Sequence, residues 1–240
     1  MLQNITQLYG LKLGATDGEI GHVQDFYFDD LTWAIRYIVA DTGSWLPGRQ
    51  VLLSHQALGN HGLGSFDAVT RILPVKLARQ QIEDSPPIEA HRPVSRQHEE
   101  NYYRYFGWTG YWQEGGMWSG SGYPFIPPPP AAPSLPPHHG HNQRDDIHLR
   151  STKAVTGYKI QATDGPVGTV SSFMVHGKSW TIREIVAETG HWYAGKTIHL
   201  LPGDIDRISH EDSTVFMILT MEDIKQIASN DRALAAAGQP

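Results

Sequence analysis

Two acidic loops are the first residues to invite a chemical reading: IVADTGSW at 38–45 and IVAETGHW at 185–192. Asp-Thr-Gly in an apolar setting has the form of an aspartic-type protease loop. That chemistry needs two Asp carboxylates about 3 Å apart sharing one proton. The second loop supplies Glu188, one methylene longer than Asp41, and a long connector at 89–151 separates the halves. The plainer reading is a pair of hairpin turns. In these Asp41 or Glu188 accepts backbone hydrogen bonds, and Gly43 or Gly190 takes positive φ. The plainer reading is preferred, and the protease is kept as a remote alternative.

Histidine is the other candidate. Of 13 histidines, His138, His139, His141 and His148 gather near Asp145 and Asp146. Imidazole and carboxylate suit Zn²⁺ or Ni²⁺. Affinity, however, comes from ligands fixed by outer supports, which a Gly- and Pro-rich tract does not supply. No metal site is assigned. With no cysteine in the chain, disulfides, thiolate metal sites and a Cys nucleophile are excluded. Gly115, Gly116, Gly120 and Gly122 lie among aromatics without the strand and helix that a phosphate loop requires. No Ser-His-Asp spacing is defensible. The sequence therefore assigns no catalytic residue and no cofactor, and the expectation is a protein that is not an enzyme.

Composition narrows the partners. The 240 residues carry a formal charge of -6 with 19 Lys and Arg, too few basic residues for a dedicated DNA binder. No run approaches the roughly 18 apolar residues of a membrane-spanning helix. The start, MLQNITQLYGLKLG, lacks the basic and apolar regions of a signal peptide, so a cytoplasmic location without membrane insertion is expected.

The elements that must position any site come from an internal repeat. Residues 10–54 realign with 157–201 at a constant offset of 147, with 20 identities in 45 positions and no gap. Two units of this length mean tandem domains, not a solenoid. Short Val-, Ile-, Phe-, Tyr- and Trp-rich segments between Asp-Gly and Thr-Gly turns read as strands and hairpins. Asp17-Gly18 and Asp164-Gly165 are the tight-turn positions. Gly21 and Gly168 fall just inside the next strand, where a bulge or close backbone approach is expected. Each unit closes on a helical turn, LARQQIEDSPP in the first and Thr220 capping MEDIKQI in the second. These limits set the boundaries at 4–88 and 152–228, with a tail at 229–240. The recurring Trp33 and Trp180, and Trp45 and Trp192, read as core. Arg36 and Arg183 alternate with apolar neighbours, which points them at a carboxylate or at a partner.

Between the units, Tyr102, Tyr103, Tyr105, Phe106, Trp108, Tyr111 and Trp112 place seven aromatics in 11 positions. Rings at that density carry too much surface to be left in water, so the stretch is expected to dock. Residues 113–143 then become Gly- and Pro-rich, and FIPPPPAAPSLPP reads as a polyproline spacer.

Each unit resembles a PRC-barrel domain, the small β-barrel of the photosynthetic reaction centre H subunit and of a ribosome maturation factor. The resemblance rests on ATDGEIGHVQDFYFDD, WAIRYIVADTGSWLPGRQVLL and LARQQIEDSPP, and on ATDGPVGTVSSFMV, WTIREIVAETGHWYAGKTIHLL and LTMEDIKQI. The stretch SRQHEENYYRYFGWTGYW is similar to the segment after the first barrel in uncharacterised bacterial tandem PRC-barrel proteins. The resemblance implies an all-β fold of two small barrels, each with a short C-terminal helical turn, joined by an aromatic and Pro-rich connector; the similarity of the two copies and the length of the connector predict that they pack as a pseudo-two-fold pair with the Tyr/Trp segment across one barrel. It also implies an adaptor or assembly role without catalysis. Ser172 and His176 stand where the first copy has Asp25 and Asp29, so no role shared by both copies is expected there.

The favoured function is non-catalytic binding or scaffolding. The contact residues would be the Tyr/Trp segment with Arg36 and Arg183, and the partner another protein or a second copy. An association with the ribosome or RNA, by analogy with the maturation factor, is the alternative, and the acidic balance opposes it.

Overall fold

Each copy of the repeat is built along one long bent strand. In this computed structural model, residues 2–47, 49–58, 62–63, 66, 69–86, 96–108, 148–193 and 195–228 are described. The first copy contains β1 (Leu2–Asn4), β2 (Lys12–Ala15), β3 (Gly18–Asp29), β4 (Ile35–Asp41), β5 (Gln50–Ser54), β6 (Ile72–Pro74) and helix α1 (Arg79–Glu83). Helix α2 (Arg96–Phe106) comes next, in the connector. The second copy has β7 (Leu149–Ser151), α3 (Thr152–Val155), β8 (Lys159–Gln161), β9 (Pro166–His176), β10 (Thr181–Thr189), β11 (Thr197–Leu200), β12 (Ile205–Ser209) and β13 (Thr214–Met217). A last helix, α4, runs over 221–228.

The chain divides into two compact units, Met1–His91 with His148–Pro240, and Arg92–Ile147. The first unit holds both sheets. One sheet runs β5-β4-β3-β2-β6 and the other β11-β10-β9-β8-β13-β12. The pairings are alike in both copies, with β2 on β6 and β8 on β13 parallel and the hairpin pairings antiparallel. Register shifts bend β3 and β9 in mid-strand, which lets each serve two neighbours on one side. Among the described residues no pairing joins β5 to β6 or β11 to β12. The expectation of two closed barrels thus reduces to a β-rich fold of two sheets with a few short helices.

The two sheets exchange their leading strands. Strand β1, which begins the first copy, pairs with β9 of the second (Leu2↔His176, Asn4↔Met174). Strand β7, which begins the second copy, pairs with β3 of the first (Leu149↔Asp29, Ser151↔Tyr27). Every one of these positions maps onto its counterpart at the offset of 147, so the exchange is reciprocal. At the centre, the Ile35 amide donates to the Trp180 carbonyl at 2.7 Å and the Ile182 amide to the Trp33 carbonyl at 2.8 Å. Both tryptophans hold left-handed backbone, φ 58° and 53°, a conformation costing about 1–2 kcal/mol away from glycine. Burial of both rings, at 8% and 7% exposure, offsets that strain. Phe28 joins the halves, with its ring 5.7 Å from Trp33 and 5.6 Å from Phe173. The pseudo-two-fold pairing expected from the repeat is therefore present, but as an interlock that begins before residue 4 and before residue 152.

The turn chemistry agrees closely with the sequence. Asp17 and Asp164 each accept from the first amide of their unit's closing helix, Arg79 N and Met221 N, both at 2.8 Å. Their carboxylates cap the helix from a hairpin far away in sequence. Thr220 and Asp223 form the reciprocal cap of α4. A Cβ at Gly21 or Gly168 would strike the backbone carbonyl of Asp41 or Glu188, so the close approach expected at both is real.

Candidate functional site

The two acidic loops turn out to be held by their threonines. The Thr42 hydroxyl contacts the carbonyls of Leu46 (2.9 Å) and Arg49 (2.8 Å), and the Thr189 hydroxyl those of Tyr193 (3.4 Å) and Lys196 (2.9 Å). Asp41 accepts from the Gly43 amide at 2.9 Å, and Gly43 has φ 56°. The second loop departs from the expected turn. Its positive φ lies at Gly195 and not at Gly190, and Glu188 is exposed. The physical reason is a different anchor: the Trp192 indole donates to the Val167 carbonyl and the Gly190 amide to the same carbonyl, which fixes the loop without a left-handed glycine at 190. Strands β4 and β10 leave the antiparallel bridge Ala34↔Thr181 in opposite directions, so Asp41 and Glu188 sit at diverging strand ends. Trp45 and Trp192 are half-buried covers and not core: Arg79 stacks 4.7 Å from one ring and Lys225 5.7 Å from the other.

Positions 25 and 172 share a role after all. Asp25 accepts from the Ser151 hydroxyl (2.5 Å), the Thr152 hydroxyl (2.8 Å) and the Lys153 amide (3.1 Å), all belonging to the other copy. Ser172 donates to Asn4 Oδ1 at 2.5 Å. Asn4 and Ser151 cap the short helical turns after β1 and β7, so each exchanged strand is locked by position 25 or 172 of the sheet it joins. Donor and acceptor have simply changed sides. Tyr9 donates to Thr152 at 2.9 Å, and burial pushes its phenol up to about 12. Asp30 adds a lock without counterpart, binding His148 at 2.9 Å and Arg150 at 2.7 Å, with Gly177 at the matching place. His148 is thus an anchor for β7, while His138, His139, His141, Asp145 and Asp146 lie outside the described residues.

Positions 29 and 176 do diverge, and with them the two arginines. Arg36 is 6% exposed, and its guanidinium meets the Asp29 carboxylate at 3.1 Å; Asp29 also accepts from the amides of Leu31 and Thr32. Burial, not a surface contact, is what its alternation with apolar neighbours encoded. Arg183 is exposed and makes no hydrogen bond or ion pair among the described residues, because His176 replaces the acid. It lines an open groove of about 680 Å³ together with Leu2, Trp33, His176, Ile182 and Leu201. Thr32, Thr181, Glu184 and the turn Pro202-Gly203 complete the wall. Leu2 and Leu201 leave 41% and 54% of their surfaces exposed, an apolar rim beside a bare cation. The sequence signal for this groove was the Asp29-to-His176 change itself.

In the smaller unit, the aromatic stretch folds as α2, a helix that the sequence pattern does not announce. Tyr102 and Tyr103 are buried at 2% exposure each, and Tyr102 meets the rings of Phe106 at 4.9 Å and Trp108 at 6.0 Å. Tyr105 carries the exposed ring, at 43%. Tyr111, Trp112 and the polyproline run lie outside the described residues. Burial pushes His98 below the usual imidazole range.

Among the described residues no cluster of three or more His, Cys, Asp or Glu could hold a metal ion, and no helix is long and apolar enough to cross a membrane. No known family model matches the chain, and no curated protein was found to be similar to it.

Proposed function

We propose that this chain is a non-catalytic binding and assembly protein of the tandem PRC-barrel kind, cytoplasmic, whose partner is another protein or a second copy of itself. The observation that carries the reading is the reciprocal exchange of β1 and β7. It makes the two copies one pre-assembled platform, comparable to an isologous dimer whose halves are covalently joined. Joined halves are free to diverge in surface chemistry while keeping a common frame. The recurring residues support this: Asp17 and Asp164, Thr42 and Thr189, Gly21 and Gly168, and Trp33 and Trp180 all work in turns, caps, close approaches and the central bridge. Of the divergent positions, His176 and Pro202 line the groove.

The test is affinity capture with the full chain from its own cells, compared with an Arg183→Glu variant, alongside light scattering. The reading expects a stoichiometric partner or a self-associated species that the substitution weakens. An inert monomer without any partner would contradict it.

A further inference from the structure

The pseudo-two-fold relation supplies an internal comparison for the groove. In the first copy, the position that corresponds to the groove holds Asp29 on Arg36 and His55 against the Trp180 ring, 6.2 Å between centroids. In the second copy every filling group has been exchanged. His176 stands for Asp29, Pro202 for His55 and Gly203 for Gln56, while Arg183 and Trp33 are kept. The second copy therefore retains the guanidinium and the indole but has lost the carboxylate and the side chain that occupied the space beside them.

Glu184 does not replace the missing acid. Its carboxylate lies 2.6 Å from His199 Nδ1, so it has its own partner on β11. The remaining wall is apolar at Leu2, Trp33, Ile182 and Leu201, with hydroxyls from Thr32 and Thr181. A volume of about 680 Å³ falls within the range of small-molecule sites.

We propose that this groove binds a small amphipathic carboxylate. The carboxylate takes the place on Arg183 that Asp29 takes on Arg36, and the apolar part lies on Leu2, Trp33 and Leu201. A planar guanidinium receives a carboxylate by two parallel hydrogen bonds, which suits Arg better than Lys for this position. The inference rests on the binding reading above. The same chemistry is offered by a free medium-chain acid and by the C-terminus of a chain ending in an apolar residue.

Calorimetric titration of the full chain with octanoate and with N-acetyl-Ala-Ala-Leu, each beside its carboxamide, tests this. At least one acid should bind with a Kd under about 1 mM, and its amide at least about tenfold more weakly. Octanoate alone points to a free acid and the peptide alone to a chain terminus. Arg183→Gln should weaken binding about tenfold or more. His176→Asp, which reinstates the internal carboxylate, should abolish binding while leaving the melting temperature unchanged or raised, so that loss of binding is not loss of fold. Equal binding of acid and amide, indifference to Arg183→Gln, or no binding of either acid would overturn the proposal. A captured partner combined with a silent titration defeats this inference alone; a positive titration of a chain with no protein partner spares it and defeats the reading above.

Discussion

Asp25→Ala should weaken the joint between the two copies more than Ser172→Ala does. The carboxylate receives three hydrogen bonds across the joint, at 2.5, 2.8 and 3.1 Å, and removing it leaves the buried Thr152 hydroxyl and the half-buried Ser151 hydroxyl without their acceptor, with the Lys153 amide turned to solvent. At about 1 kcal/mol for each bond in such a setting, the loss is about 3 kcal/mol. Ser172→Ala removes the single counterpart bond to Asn4, worth about 1 kcal/mol. For a unit of this size, 1 kcal/mol moves the melting temperature by about 2–4 °C, so the expected drops are about 6–12 °C and about 2–4 °C. Thermal scans monitored by near-ultraviolet circular dichroism would measure both in the same buffer. A drop for Asp25→Ala no larger than that for Ser172→Ala would refute the reasoning that position 25 locks β7 in place.

The same geometry sets three further outcomes. Because the folded-state pKa of Tyr9, about 12, lies above its ordinary 10.0, folding favours the neutral phenol; its contribution is whole below pH 10 and is lost as pH rises through 12. Denaturant titrations of wild type and Tyr9→Phe should therefore converge over that interval and run parallel below it. Gly168→Ala drives a methyl into the Glu188 carbonyl and should cost about 3 kcal/mol or more, seen as a lost or sharply lowered melting transition. Thr42→Val should destabilise by about 1–2 kcal/mol by removing the hydroxyl that holds the Leu46 and Arg49 carbonyls, whereas Asp41→Asn should change stability by less than about 0.5 kcal/mol and leave any measured activity intact.

Local chemistry was the legible part of the sequence. Gly21 acts within a hairpin and Thr220 within a cap, and such residues announce themselves through spacing and type; Asp17 was legible as a turn residue but not as the acceptor for the Arg79 amide of α1. The β-rich class and the duplication were equally readable, since both are properties of long patterned stretches. The exchange was not, because β1 and β7 are three residues each and lie outside the aligned window of the repeat. A segment that short has no periodicity of its own; only its partner strand gives it a place. The same limit explains Asp25 and Ser172. One is an acceptor and the other a donor, and without knowing that Ser151 and Asn4 face them, the pair looks like divergence. Thr42 and Thr189 were overshadowed by the acids beside them, although threonine is what the two loops have in common. Helix α2 was masked by its aromatics, which drew the reading toward docking, although Ser95 stands directly before Arg96 as an N-cap residue type.

If the two copies are one interlocked body, they must unfold together. Trp45 and Trp192 sit in different copies, far along the strands from the central bridge, and serve as reporters when tryptophan is replaced by 5-fluorotryptophan. Fluorine NMR of the full chain across a guanidinium titration should show both native signals vanishing at one midpoint, and Asp25→Ala should lower that midpoint equally for both. Two separated midpoints, or a shift confined to Trp45, would mean two independent domains on a tether.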